Sequence, residues 1–428
     1  MIDRQTSSID HREKQFKALD YLKITALGFA LTAMWSSLHG IMLPIRLLAY
    51  IPESQKNTYL GLLTFTGLIL AMIIQPIAGA FSDHTSSRWG RRKPYILLGS
   101  VLSIILLPGI GWANTYAAIL IVYCLLQIGS NTAQASYQAF IPEIITENKR
   151  GLASGVKSLL EVLGGVILVR LSAFLMGHYF EGGGEFWMWT ALGALIIVLL
   201  IAMIITVLTI KESPSINSIG LSLSTIYRRF KIDFKVHRDF GWFLFSRALL
   251  GIPGVVLQIF ALYYLTDVVG IPNPASVAGD LLVVVGVCLL AAAYPAGRLS
   301  DRVGRKPIVI SSGIIGAVGV LALFFSRNYV QVMLSGAILG VANGALLSAS
   351  WALAADLSVK GEEAKYMGVT NLAMAGGSAL ARLVGPVIDF LNGFRQGAGY
   401  QVMLLVCFIS FIAGAMLVVK VKHTRLRD

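Results

Sequence analysis

Two stretches decide the fold: GAFSDHTSSRWGRRKPYIL, from Gly79 to Leu97, and AGRLSDRVGRKPIVI, from Ala296 to Ile310. Ser82-Asp83 in the first matches Ser300-Asp301 in the second. The run Gly90 to Pro94 matches Gly304 to Pro307, with five extra residues in the first copy. At the same offset of about 213 residues, Glu143 falls opposite Asp356 and Gly155 opposite Gly368. Arg170 falls opposite Arg382 once a single gap is allowed. Several matches in one order read as an internal duplication. Each stretch is a polar turn between apolar runs. Its glycine permits a tight turn and its proline opens the next helix.

The rest of the chain explains what those turns connect. Of 428 residues, 56% are hydrophobic and 13% charged, with a mean hydropathy of +0.73. Soluble domains carry about 25% charged residues, so a globular enzyme is excluded. Apolar runs of the roughly 20 residues that cross a bilayer recur throughout. Twelve spans are expected: 21–46, 57–82, 93–113, 116–142, 151–177, 186–210, 240–266, 276–299, 307–326, 329–356, 364–391 and 399–421. The polar segment 211–239 holds Arg228, Arg229, Lys231, Lys235 and Arg238. It divides the spans six and six, giving a tail 1–20, a bundle 21–210, a linker 211–239, a bundle 240–421 and a tail 422–428. The expected class is an all-α integral membrane protein of twelve transmembrane helices in two pseudo-symmetric six-helix bundles.

With the N-terminus in the cytoplasm, 27 of the 35 lysines and arginines fall on the cytoplasmic side. Only Arg46, Lys56, Arg327 and Arg395 fall outside, and Lys157, Arg170, Arg247 and Arg382 lie within spans. This bias puts both termini in the cytoplasm of a multi-pass inner-membrane protein. The net charge of +13 is thereby a matter of topology and not of nucleic-acid binding. The polar first twenty residues read as no cleavable signal peptide. Cys124, Cys288 and Cys407 all sit in apolar spans and form no disulfide or metal-ligand pattern. No metal, cofactor or enzyme chemistry is expected.

SDRVGRKP, from Ser300 to Pro307, resembles the loop 2–3 signature of the major facilitator superfamily, and its repeat lies where that superfamily has one. SDHTSSRWGRRKPYILLG, from Ser82 to Gly99, and IPEIITENKRGLASG, from Ile141 to Gly155, are similar to its glycoside–pentoside–hexuronide branch and to sucrose–proton symporters. The resemblance implies a midplane site between two bundles and alternating access. Melibiose-permease-like members carry sodium-binding acids on the second helix. Span 2 has threonines and Gln75 instead. Sucrose symporters carry an acid on the fourth helix, where this chain has amides. They also carry a substrate-binding arginine on the fifth, to which Arg170 is comparable in depth. Asp83, Gly90, Arg91, Arg92 and Asp301, Gly304, Arg305 read as gate elements, since an acid at a helix end accepts hydrogen bonds from arginine and from a neighbouring helix N-terminus.

Polar side chains at membrane depth are costly and usually face protein or water. Their spacing puts several on single helix faces. Span 4 carries Gln127, Asn131, Gln134 and Gln138. Span 1 carries Thr32, Trp35, His39 and Arg46. Span 7 carries Arg247, Gly251, Gly254 and Gln258, with a kink expected at Pro253. Span 11 carries Asn371, Ser378, Arg382 and Asp389. Amides, an aromatic plate and arginines suit a hydroxyl-rich or anionic ligand, and the same amides also serve as packing glue between helices. His39 reads as a structural histidine or a proton relay. Glu161 and Arg170, nine residues apart, fall on opposite faces of a straight span 5. Glu161 is either neutralised by Lys157 or the group that carries a coupling proton. Arg170 and Arg382 are either substrate ligands or members of ion pairs.

The expected function is proton-coupled movement of a sugar-like polar solute. Its partners are then that solute, protons and membrane lipid, without nucleic acid, and the carrier is a monomer. The competing expectations are a carrier for an organic anion or an amphipathic, lipid-like solute, and a non-transporting membrane assembly factor.

Overall fold

The computed structural model describes residues 18–145, 147–210, 212, 237–359 and 362–422. The expected tails, and most of the linker with Arg228, Arg229, Lys231 and Lys235, lie outside the described residues. Twelve helices are long and apolar enough to cross a membrane. In chain order they are α1 (Leu19–Leu47), α2 (Glu53–His84), α3 (Lys93–Trp112), α4 (Tyr116–Ile144), α5 (Leu152–Phe180) and α6 (Glu185–Thr209). The second six are α7 (Arg238–Val269), α8 (Pro274–Val303), α9 (Arg305–Phe325), α10 (Tyr329–Asp356), α11 (Lys365–Asn392) and α12 (Ala398–Val419). All twelve coincide with the spans read from sequence. Each helix begins and ends within four residues of its expected span, and α2 and α8 run on through Asp83 and Asp301, so the acids of both basic stretches sit on helix ends.

Local chemistry fixes these ends. Gly90 and Gly304 have φ of 97° and 96°, a backbone that other residues adopt only at a cost. Pro94 and Pro307 follow in the first turns of α3 and α9. Asn273, at φ 53°, accepts a hydrogen bond from the Ser276 amide and caps α8, and Thr115 caps α4 in the same way.

The duplication survives in three dimensions. Arg92 pairs with Asp83 and, at 2.5 Å, with Glu143, while Arg91 reaches Glu143 at 2.8 Å. In the second half Arg305 pairs with Asp356 and lies 3.9 Å from Asp301. Each cluster ties the end of one helix to the start of the next and to the end of a third, within its own half. Burial opposes the Arg92 charge, and the hydrogen bond and charge of Glu143, with Asp83, outweigh it, so its pKa lies above the usual arginine value. Glu212 accepts hydrogen bonds from the amides of Arg91 and Arg92, both at 2.9 Å, and of Lys93 at 3.3 Å. The chain leaving α6 thereby caps α3. A Cβ on Gly90 would lie 2.2 Å from Glu212, a second reason for glycine there.

The halves meet on the face away from the termini. Lys56 of α2 pairs with Asp267 of α7 at 2.7 Å. Asp389 of α11 accepts from the Thr58 amide at 2.6 Å and from Asn57 Nδ2 at 2.8 Å. Tyr400 of α12 donates to Asp267 at 2.6 Å, and Tyr263 to the Pro44 carbonyl at 2.7 Å. Arg170 of α5 pairs with Asp280 of α8 at 2.8 Å. Small residues let the backbones approach: a Cβ on Gly61 would lie 2.5 Å from the Arg382 carbonyl, and one on Gly279 2.2 Å from Ala173. On the side of the termini, Gly79, Gly155 and Gly376 face open space, and Leu152, Leu159, Leu372 and Leu380 are exposed. Among the described residues, the ion pairs and hydrogen bonds named here between the halves all lie on the face away from the termini.

Candidate functional site

The first half presents a polar chain at mid-depth. Gln75 on α2 donates to Asn131 Oδ1 at 2.7 Å, and Asn131 donates to Gln127 Oε1 at 2.8 Å, both on α4. Gln127 donates to the Tyr123 hydroxyl at 2.9 Å, and that hydroxyl lies 2.9 Å from His39 Nε2 on α1. The Tyr123 oxygen accepts from Gln127 and also meets His39 Nε2, so it joins α4 to α1. The four bonds form one continuous chain across α2, α4 and α1. Trp35 stacks on the His39 ring at 5.1 Å and meets Tyr123 edge-on at 5.6 Å.

A π-helical turn, Leu38–Met42, carries His39 inside α1, and another, Leu265–Val269, carries Asp267 at the end of α7. Such turns often mark functional positions because they widen the helix and re-aim one side chain.

The four residues of the span 7 stripe, Arg247, Gly251, Gly254 and Gln258, line one cavity of about 330 Å³ together with Asn343 and Met374. Arg247 is 5% exposed. It donates to Ser350 Oγ, reaches Met374 Sδ at 3.2 Å and lies 5.0 Å from the Trp351 ring centroid; its Nε has no hydrogen-bond partner. Arg382 donates to the Ser378 carbonyl one turn back, and its Nε also has none. It sits where α11 breaks before Pro386, whose missing N–H frees the Arg382 carbonyl. Tyr123 and His39 are within its electrostatic reach.

Arg170 and Glu161 occupy opposite sides of an unbroken α5. Arg170 is turned to α8, paired with Asp280 and 3.4 Å from Ser276 Oγ. Glu161 is turned to α1 and α4: a Cβ on Gly28 would meet both Glu161 Oε1 and the Tyr137 hydroxyl within 2.6 Å. Lys157 Nζ lies 3.8 Å from Glu161 and 5.4 Å from the Tyr137 ring centroid. Gln134 is half-buried, and Gln138 and Asn371 are exposed. Gln127 and Asn131 are bonded to each other, to Tyr123 and to Gln75.

Sequence reading did not find Tyr123, Asn343, Ser350 or Asp280. Asp280 had a signal, an acid inside an apolar span. Tyr123 had none beyond its place four residues before Gln127.

Residues 28–421 match the family described as MFS/sugar transport protein. The chain belongs to that family. Among curated relatives it is 24% identical over 311 residues to the lactose permease of Leuconostoc lactis, covering 68% of this chain and 48% of that protein. The chain thus spans about half the length of the lactose permeases it matches. It is 27% identical over 381 residues to the multidrug resistance protein MdtG of Klebsiella pneumoniae (strain 342), covering 87% of this chain and 88% of that one. Among solved structures, a D-xylose-proton symporter superposes with a TM-score of 0.72 at 17% identity, over 95% of this chain and 98% of that one. A point mutant of the nucleoside transporter NupG superposes with a TM-score of 0.71 at 13% identity, over 94% and 100%. Together with the twelve spans, this makes the chain an integral multi-pass membrane protein of major facilitator fold.

Proposed function

We propose that the chain is a secondary active transporter that moves a sugar or glycoside-like polar solute with protons by alternating access. One observation carries the reading: a hydrogen-bonded polar chain in the first half and an arginine-lined cavity in the second lie at mid-depth, in a bundle whose halves are tied together on one face. Placing such groups in a membrane has an insertion cost, which a water-filled, solute-binding passage offsets. The lactose permease relatives and the D-xylose-proton symporter fold support the solute class and the coupling ion.

In this reading the terminal face is cytoplasmic, as the lysine and arginine bias indicates, and the described conformation faces inward. Trp35, His39, Gln127, Asn131, Gln134 and Gln138 of the first half face Arg247, Gln258, Asn371 and Arg382 of the second around the solute. Arg170 acts in the closure with Asp280. Glu161 takes the coupling proton, and Lys157 and Tyr137 beside it receive or release its charge. The Asp83–Arg92–Glu143 and Asp301–Arg305–Asp356 clusters keep each half rigid while the halves rock.

The test is Glu161→Gln in proteoliposomes. Counterflow exchange is expected to persist while accumulation driven by a pH gradient falls at least tenfold. Full accumulation by the variant removes Glu161 from the coupling.

A second reading, export of an amphipathic solute, has one observation behind it, the likeness to a multidrug resistance protein over most of both chains. Accumulation of lipophilic dyes in cells lacking the chain, reversed on expression, would favour it.

A further inference from the structure

We infer that the transported solute carries an acid group and that Arg247 receives it in the cavity between α7, α8, α10 and α11. The inference rests on the transport reading and narrows its substrate to a polyhydroxylated acid, a sugar acid or a sugar phosphate.

Among the described residues, most charges at mid-depth are paired. Lys157 has Glu161 beside it, and Arg170 has Asp280. Asp389, nearest in sequence to Arg382, is occupied by the Thr58 amide and the Asn57 side chain on the closed face. What remains is Arg247 and Arg382, two positive charges with no carboxylate among their contacts. The elements packed on Arg247 bring it a serine hydroxyl, a thioether and the face of Trp351, all neutral.

A guanidinium 95% buried, as the 5% exposure of Arg247 implies, is expensive unless paired. Removing a charge from water is costly, and weak neutral acceptors recover only part of that cost. Here the Nε of Arg247 is buried with no acceptor at all, at the wall of a cavity that also holds the neutral amides of Gln258 and Asn343. A carboxylate or phosphate oxygen in that cavity completes the guanidinium fork, whose planar geometry suits such groups. The amides are then left for hydroxyls. Trp351 holds the fork in plane. Arg382, on the side of His39 and Tyr123, supplies a second positive charge. The closed face also fits, because Arg170 is already neutralised and needs no anion.

The experiment is thermal unfolding of the purified full-length protein against pairs of ligands that share a sugar frame and differ in the acid group: glucuronate against glucuronamide, galacturonate against galactose, and glucose 6-phosphate against glucose. Binding to the folded state alone raises the melting temperature, and at least one acid is expected to do so with an apparent affinity about tenfold or more above its neutral partner. Arg247→Gln is expected to abolish that preference. The paired comparison on the unaltered protein stands even if that variant fails to fold. Equal responses to acid and neutral partners overturn the inference and leave the transport reading in place, as does an acid preference that survives Arg247→Gln. No response to any of the six overturns the inference and counts against the sugar reading as well.

Discussion

Lys56, at the start of α2, and Asp267, in the π-helical turn that ends α7, form a 2.7 Å ion pair joining the two halves of the bundle. Lys56 is 4% exposed, and Tyr400 donates to the second oxygen of the same carboxylate. Removing one partner leaves the other charge buried and unpaired. Asp267→Asn is therefore expected to loosen the closed face. A cysteine at Ala275, which is 1% exposed on that face, should react with an impermeant maleimide several-fold faster in the Asp267→Asn background. An unchanged rate would mean that the pair does not hold the face shut.

The backbone approach beside this pair gives a second expectation. A Cβ on Gly385 would lie 2.2 Å from the Asn57 carbonyl, a backbone atom that cannot swing away. Gly385→Ala should push α2 and α11 apart at a cost of about 1–3 kcal/mol, the usual range for overpacking. Gly79, which faces open space, serves as the control, and Gly79→Ala should leave the melting temperature unchanged.

The two repeated clusters differ in burial, and so in expected contribution. Arg92 is 6% exposed at its side chain, against 29% for Arg305. Arg92→Ala should destabilise by about 1–3 kcal/mol, below the figure for a fully buried pair because Asp83 and Glu143 reach solvent. Arg305→Ala should cost less than Arg92→Ala. Thermal unfolding of the two variants orders them, and the reverse order would show that burial does not set their contribution.

Tyr123 is the centre of the polar chain, since its hydroxyl serves both Gln127 and His39. Tyr123→Phe should cost roughly 0.6–1.7 kcal/mol, the range measured for hydrogen bonds between membrane helices. It should also weaken solute binding, by releasing the His39 ring from its orientation. Unchanged binding would assign the chain to packing alone.

The fold was legible because its determinants are local. Twenty apolar residues in a row have one use, and the Asp–Gly–Arg–Pro order recurs at Asp83 and Asp301 at the same place in each half. The stripe from Arg247 to Gln258 was also legible, because one helix face becomes one cavity wall. Partnership was not. Nothing in the chain's order says that Arg170 meets Asp280, 110 positions on, or that Gln127 and Asn131 spend their amides on each other, Tyr123 and Gln75. Those outcomes depend on how the helices are rotated against one another, which backbone approaches at Gly61, Gly279 and Gly385 decide. Arg170 and Arg382 look alike as intramembrane arginines, and only the packed structure separates the neutralised one from the free one.

The central claim, solute movement coupled to protons through a passage that opens to one side at a time, is tested most directly in proteoliposomes carrying a pH-sensitive dye in the lumen. The solute is the sugar or sugar acid that gives the largest thermal shift. Imposing its gradient should move protons with it and change lumenal pH, and an opposed pH gradient should drive the solute uphill. Solute movement that leaves lumenal pH unchanged, at a rate indifferent to the pH gradient, would contradict the account.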